Sequence, residues 1–270
     1  MGRYLLCTKE ADTPYEVEEL DLRVYSIEEL AYLIYHDLPL LPDEFIDEKL
    51  LTFIEKELEM PEISGKIRRF YDSPADFDAA VTMLLSETGY YTEPEMNEFR
   101  DRVVERRKKN GPERLCGRAD ILYEKKRYNS AIRLYRTLLK GPRDGRMGSA
   151  FYTDVMEKLA NCFGRLSEFD KALDVLEDIV RENGSLRVMK KMYDTCILAG
   201  REPDGEVYRK VPEETLKAWQ MDYWNRETRA RQKADEDPRM QIFFKDTDEA
   251  QAALAEYTEN AKDAFRGMLE

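Results

Sequence analysis

Apart from carboxylates, this chain offers few side chains able to do chemistry. His36 is its only histidine, so a histidine-based metal site or a Ser-His-Asp arrangement has one candidate imidazole. Cys7, Cys116, Cys162 and Cys196 stand far apart, without a C-x-x-C pair, each in an apolar stretch. That pattern predicts buried free thiols in a reducing cytosol rather than disulfides. A Cys-His dyad is the remaining enzyme route, and it is the third reading of this chain. With 56 Asp and Glu residues, neighbours such as Glu28-Glu29 or Asp43-Glu44 read as solvated helix faces and caps before they read as acid-base pairs. Gly141, Gly145 and Gly148 do not make a phosphate loop, because no strand precedes them and no Lys-Ser/Thr follows the last glycine. No catalytic residue, cofactor or metal ligand is assigned from these residues.

Charge is more informative by location than in total. The net charge is −13, made of −16 over residues 1–99, +9 over 100–145 and −6 over the rest. The acidic balance weighs against general nucleic-acid binding. The run Arg100, Arg102, Arg106, Arg107, Lys108, Lys109 has no interleaved aromatics, so docking on the acidic segment before it is the simpler destination. No stretch approaches the roughly 18 consecutive apolar residues of a membrane span. The start, Met1 to Cys7, is too short and too quickly polar for a secretory signal, and Leu6 stands where a myristoylation motif needs Ser or Thr. A cytoplasmic location with no membrane partner is therefore expected.

The elements that would position these residues are almost all helical. Tyr4 to Cys7 and the alternating Leu20, Leu22 and Val24 suggest a small hairpin within residues 4–24. Ser26-Ile27-Glu28-Glu29 is a capping box, with Tyr25 and Leu30 in staple positions. Pro42-Asp43 opens a second helix carrying Phe45 or Ile46, Leu50, Phe53, Ile54 and Leu58. Ser73-Pro74-Ala75-Asp76 opens a third and Thr92-Glu93-Pro94-Glu95 a fourth. Asn110-Gly111-Pro112 breaks the chain and marks a domain boundary. Beyond it, Pro212 restarts a helix carrying Leu216, Trp219 and Tyr223, and residues 226–239 read as a frayed, charged linker. Ala250, Leu254, Tyr257, Ala261, Ala264 and Met268 form a heptad-like stripe predicted to pack on the other helices.

Between these regions one pattern occurs twice. Leu115, Arg118-Ala119, Leu122, then Ala131-x-x-x-Tyr135 and Pro142 are answered by Met156, Leu159-Ala160, Phe163, then Ala172-x-x-x-Leu176. Val188-Met189-x-Lys191-Met192 echoes Val155-Met156-x-Lys158-Leu159, so a third first-helix runs to Leu198. The pattern resembles the tetratricopeptide helical-repeat family over residues 112–200, with its copies 41 residues apart rather than the usual 34 or so. The fold expected is all-α: an acidic helical domain over 1–110 with a possible β-hairpin, tetratricopeptide-like repeats over 111–211, and C-terminal capping helices over 212–270.

The resemblance implies that ligands lie along the first helix of each hairpin. By that implication Asp120, Tyr123, Glu124, Glu157, Asn161, Arg165, Lys191 and Thr195 line a partner-binding groove. The Lys-Asn-Arg carboxylate clamp of some family members is not matched, and the acidic residues favour a basic or mixed peptide. The function expected is a non-catalytic scaffold or adaptor that binds a protein or peptide. The alternative is a regulator whose N-terminal or basic segment contacts nucleic acid while the repeats sense a peptide.

Overall fold

A computed structural model describes residues 9–20, 22–70, 77–203, 205–243 and 247–267. The chain is all-α with one small antiparallel hairpin, β1 (Tyr15–Val17) against β2 (Leu22–Val24), in the register Tyr15 to Val24. At the first cap the Glu29 amide donates to Ser26 Oγ at 3.2 Å. The Glu29 carboxylate accepts from the Tyr25 amide at 2.6 Å. Tyr25, the predicted staple residue before the cap, stays exposed at 36%. The helix that follows, α1 (Ile27–Asp37), buries Leu30 and Ile34 completely and runs into a 3-10 turn at Leu38–Leu40.

The second helix begins later than the sequence suggested. Asp47, not Asp43, is the cap, accepting from the Leu50 amide at 2.7 Å, so α2 is Glu48–Thr52 followed by a π-helical turn at Phe53–Glu57. Its predicted apolar face is still buried, because the period survives a shift of the start. A helix that the sequence reading did not anticipate, α3 (Pro61–Arg68), follows. The Ser73-Pro74 start lies outside the described residues, but α4 (Phe77–Thr88) and α5 (Glu93–Lys108) are present, the latter with Thr92 and Glu95 as a capping box. Here α1 packs on α4, and α4 on both α3 and α5.

At Asn110 the chain breaks and restarts at once. Asn110 Oδ1 accepts from the Glu113 amide at 2.9 Å, and the Glu113 carboxylate accepts from the Asn110 amide at 2.8 Å, capping α6 (Gly111–Glu124). Then come α7 (Tyr128–Lys140), α8 (Ser149–Arg165) and α9 (Phe169–Asn183), each packed on the next. Ala119, Ala131, Ala160 and Ala172 are all buried, which lets helix backbones approach closely. Contacts divide the chain into two compact units, residues 1–184 and 185–270, and the break at Asn110 lies inside the first.

The hairpin turns carry a backbone signature. Lys126 and Ser167 adopt the left-handed region at φ 61° and 59°. The next amide in each case reaches back five residues, Arg127 N to Leu122 O at 2.8 Å and Glu168 N to Phe163 O at 2.9 Å. Arg127 and Glu168 then share nearly identical dihedrals. In the second unit, α10 (Leu186–Leu198) ends the same way: Gly200 has φ 69° and Arg201 N bonds to Cys196 O at 2.9 Å. This turn therefore occurs three times. Only its third copy has the glycine that a left-handed position favours.

The rest of the second unit departs from the sequence reading in two places. The helix after Pro212, α11 (Glu213–Glu236), continues through the charged stretch read as a linker, because i, i+4 pairs such as Arg231–Glu227 at 2.8 Å stitch its exposed surface. After α12 (Pro238–Phe243), α13 (Thr247–Gly267) leaves Leu254 55% and Tyr257 42% exposed, so the stripe predicted to pack is open in its described part. Trp219 is buried against Tyr193 and Tyr208, whereas Trp224 is 71% exposed.

Opposite charge joins the acidic and basic segments within the first unit. Arg106 and Arg114 both bind Asp43, with Arg114 Nη2 at 2.5 Å, while Arg107 binds Asp78. Arg102 donates to Tyr35 O at 2.7 Å, Arg118 to Leu40 O at 3.1 Å, and Lys125 to Asp37 at 2.9 Å. Burial by itself would raise the Asp43 carboxyl. The hydrogen bonds and charges of Arg114 and Arg106 outweigh burial and hold it below the usual carboxylate range.

Two outcomes follow from the turns and the charge contacts. Ser167→Gly and Lys126→Gly, each relieving left-handed strain, should raise stability in urea melts by about 0.5–1 kcal/mol, and a loss in both would refute the assignment of strain. Because the Asp43 pKa is depressed on folding, its contribution is present above the unfolded carboxyl pKa near ~3.9 and fades as pH falls through the lower folded value. Unfolding free energy measured from pH 6 to pH 2 should therefore fall more steeply in wild type than in Asp43→Asn.

Candidate functional site

The predicted groove residues are brought together in part. Lys158 of α8 reaches across to α6 and donates to Asp120 Oδ2 at 2.9 Å, with a second ion pair to Asp154 at 3.1 Å. Tyr135 of α7 donates its hydroxyl to Asp120 Oδ1 at 2.6 Å from behind. Seven residues along α8 from Lys158, Arg165 Nε donates to the Tyr123 hydroxyl at 3.2 Å, and Tyr123 meets Tyr128 edge-on at 5.4 Å. The first helices of the two hairpins thus lie side by side, joined by two polar bridges.

The remaining predicted residues divide by exposure. Glu124, Asn161 and Arg165 are exposed and Tyr123 is half-buried. Glu157, by contrast, is only 3% exposed, one helical position away from the open face. Lys191 and Thr195 lie on α10 in the second unit, where Thr195 is buried and spends its hydroxyl on Lys191 O at 2.7 Å. The sequence reading missed Lys158 and Tyr135. A signal for Lys158 existed, since the echo that paired it with Lys191 placed a lysine at the same step of two first helices.

The thiols sit close to this network without being activated by it. Cys116 Sγ lies 3.9 Å from Asp120 Oδ2 and 3.6 Å from Lys158 Nζ. Burial, aided by Asp120, pushes the Cys116 thiol up to about 11 despite the opposing pull of Lys158. Burial and Asp120 push Cys162 up to about 12. For Lys158, burial works against the charge, but Asp120, Cys116 and Asp154 outweigh it and keep the ammonium protonated. Both thiols thus favour the protonated, weakly nucleophilic form at neutral pH. His36 is exposed against Tyr32 and Tyr35, with ring centroids 4.1 and 5.0 Å away. Cys196 is buried in the second unit, and Cys7 lies outside the described residues. Among the described residues, no three His, Cys, Asp or Glu side chains converge as a metal site, and no helix is long and apolar enough to cross a membrane.

The described elements define an all-α protein with stacked helical hairpins and a polar face on their first helices. No family model, curated protein or solved structure matches the chain in comparison.

The thiol environments give a direct check. Native protein treated with iodoacetamide at pH 8 should label Cys116 and Cys162 at least tenfold more slowly than urea-unfolded protein, read by peptide mass spectrometry. Equal rates would mean that the thiols are neither buried nor raised.

Proposed function

We propose that the chain is a non-catalytic binding scaffold that holds an extended peptide or protein segment along α6 and α8, in the manner of a tetratricopeptide-like groove. The observation that carries the reading is the bridged pair of first helices. Asp120–Lys158 and Tyr123–Arg165 fix their spacing and leave Glu124, Asp154, Asn161 and Arg165 facing outward. Fixed spacing matters because a preordered surface loses less conformational entropy when it binds. The outward charges are mixed, with two carboxylates and a guanidinium, so a segment of mixed charge with a basic residue opposite Glu124 and Asp154 fits best.

Two features support a binding role over a nucleophilic one: the thiols beside the groove are raised by burial, and the one imidazole lies against tyrosine rings on α1, away from the thiols. The nucleic-acid alternative loses much of its basis, because Arg106, Arg107 and Arg114 are occupied by Asp43 and Asp78.

The test is photo-crosslinking in cell extract from benzoyl-phenylalanine placed at Asn161 or, as a control, at the exposed Glu177 of α9. A discrete adduct at position 161 alone is expected, and Glu124→Lys with Arg165→Glu should remove most of it. Identical adducts at both positions, or an adduct indifferent to the double substitution, would remove the groove reading.

A further inference from the structure

A cavity of about 780 Å³ lies outside this groove, on another side of α6, where the first hairpin meets the turn after α1. That is within the roughly 300–1,000 Å³ typical of sites for single small ligands. Its floor is apolar and rigid: Leu38, Leu41 and Leu134 are buried, at 1%, 0% and 8% exposure. Half-buried Leu115 and Ile121 of α6 extend that floor, while Glu44, Glu105, Lys109 and Thr137 are exposed around the mouth.

The charges on the wall are unequally committed. Of four lining carboxylates, Asp43 is held by Arg106 and Arg114, Glu113 caps the Asn110 amide, and Glu105 pairs with Lys108. Among the described residues, Glu44 is the lining carboxylate without such a contact. On the basic side, Arg102 of α5 and Lys109, the extended residue that caps the end of that helix, both line the cavity. Arg102 is balanced by the Tyr35 carbonyl and by the faces of Tyr35 and Phe99, 4.4 and 5.5 Å from its guanidinium carbon, and not by a carboxylate. Among the described residues the Lys109 ammonium has no carboxylate partner either. Arg118 stands at the floor, buried, with its charge disfavoured by desolvation. An apolar floor beneath two cations not matched by carboxylates suits a molecule with a hydrocarbon body and one negative group.

We propose that this cavity binds a medium-chain aliphatic carboxylate, its hydrocarbon on the Leu38–Leu41–Leu134 floor and its carboxylate toward Lys109 and Arg102. The site is independent of the groove reading, since it uses a different side of α6 and none of the groove residues. Gly117 lines it, and a Cβ built there meets no atom within 4 Å. A side chain added at that position therefore starts in open space beside the cavity.

Titration calorimetry of the full chain with decanoate, below its micellar concentration, tests the proposal against the neutral decanol. Saturable one-to-one binding of decanoate is expected, at least tenfold tighter than decanol. Gly117→Phe should weaken decanoate at least tenfold without lowering the melting temperature, with Gly117→Leu as the smaller variant should the phenylalanine not fold. Lys109→Glu should weaken decanoate at least fivefold and leave decanol unchanged. No saturable decanoate binding, equal affinity for the alcohol, or unchanged affinity in a folded Gly117 variant would each overturn the assignment. None of these outcomes alters the expected adduct at Asn161.

Discussion

Asp43 holds two guanidiniums that belong to different helices, Arg106 near the end of α5 and Arg114 in the first turns of α6. Only Lys109 and Asn110 separate those helices, so a single carboxylate ties the end of α5 to the start of α6. Charge-assisted contacts of this kind are worth about 1.5–3 kcal/mol each, but taking the ions out of water costs much of that gain. The Asp43 side chain keeps 29% of its exposure, which limits its share of that cost, while both arginines are largely covered. Arg118 to Leu40 O and Lys125 to Asp37 then extend the attachment along α6. The same three side chains, Asp43, Arg106 and Arg114, line the cavity beside the hairpin.

The stack beyond the junction is built by repetition of a small device. A left-handed residue and a five-residue return hydrogen bond reverse the chain after α6 and α8, and the same device ends α10. Each reversal allows the following helix to lie back on its predecessor, where Ala119, Ala131, Ala160 and Ala172 let the backbones close. Lysine and serine occupy that strained position in the first two copies. The third copy has glycine, then Pro203 two residues after the turn residue Arg201, and no partner helix resumes before α11.

Much of this was legible along the chain, for identifiable reasons. The Ser26 cap and the Thr92 capping box are local, set by residues three apart, and both formed. The apolar face Leu50, Phe53, Ile54, Leu58 was legible because burial follows the helical period whatever the start residue. The start itself was misplaced, because Asp43 and Asp47 are equivalent as cap candidates in sequence. What separates them is that distant Arg106 and Arg114 claim Asp43. Among the groove candidates that the resemblance implied, Asn161 and Arg165 are exposed and Tyr123 half-buried, whereas Glu157 is buried, a difference that packing decides.

By itself, the sequence determined the helical class, the repeated hairpin and the opposition of an acidic segment to a basic one, since period, caps and charge blocks are properties of neighbouring residues. Tertiary structure alone decided which carboxylate meets which guanidinium, that Lys158 and Tyr135 converge on Asp120, and that an apolar cavity opens where Leu38, Leu41 and Leu134 face one another. Those relations join residues some 15 to nearly 100 positions apart. A contact across such a distance exists only once the chain has folded, so no spacing along the sequence records it.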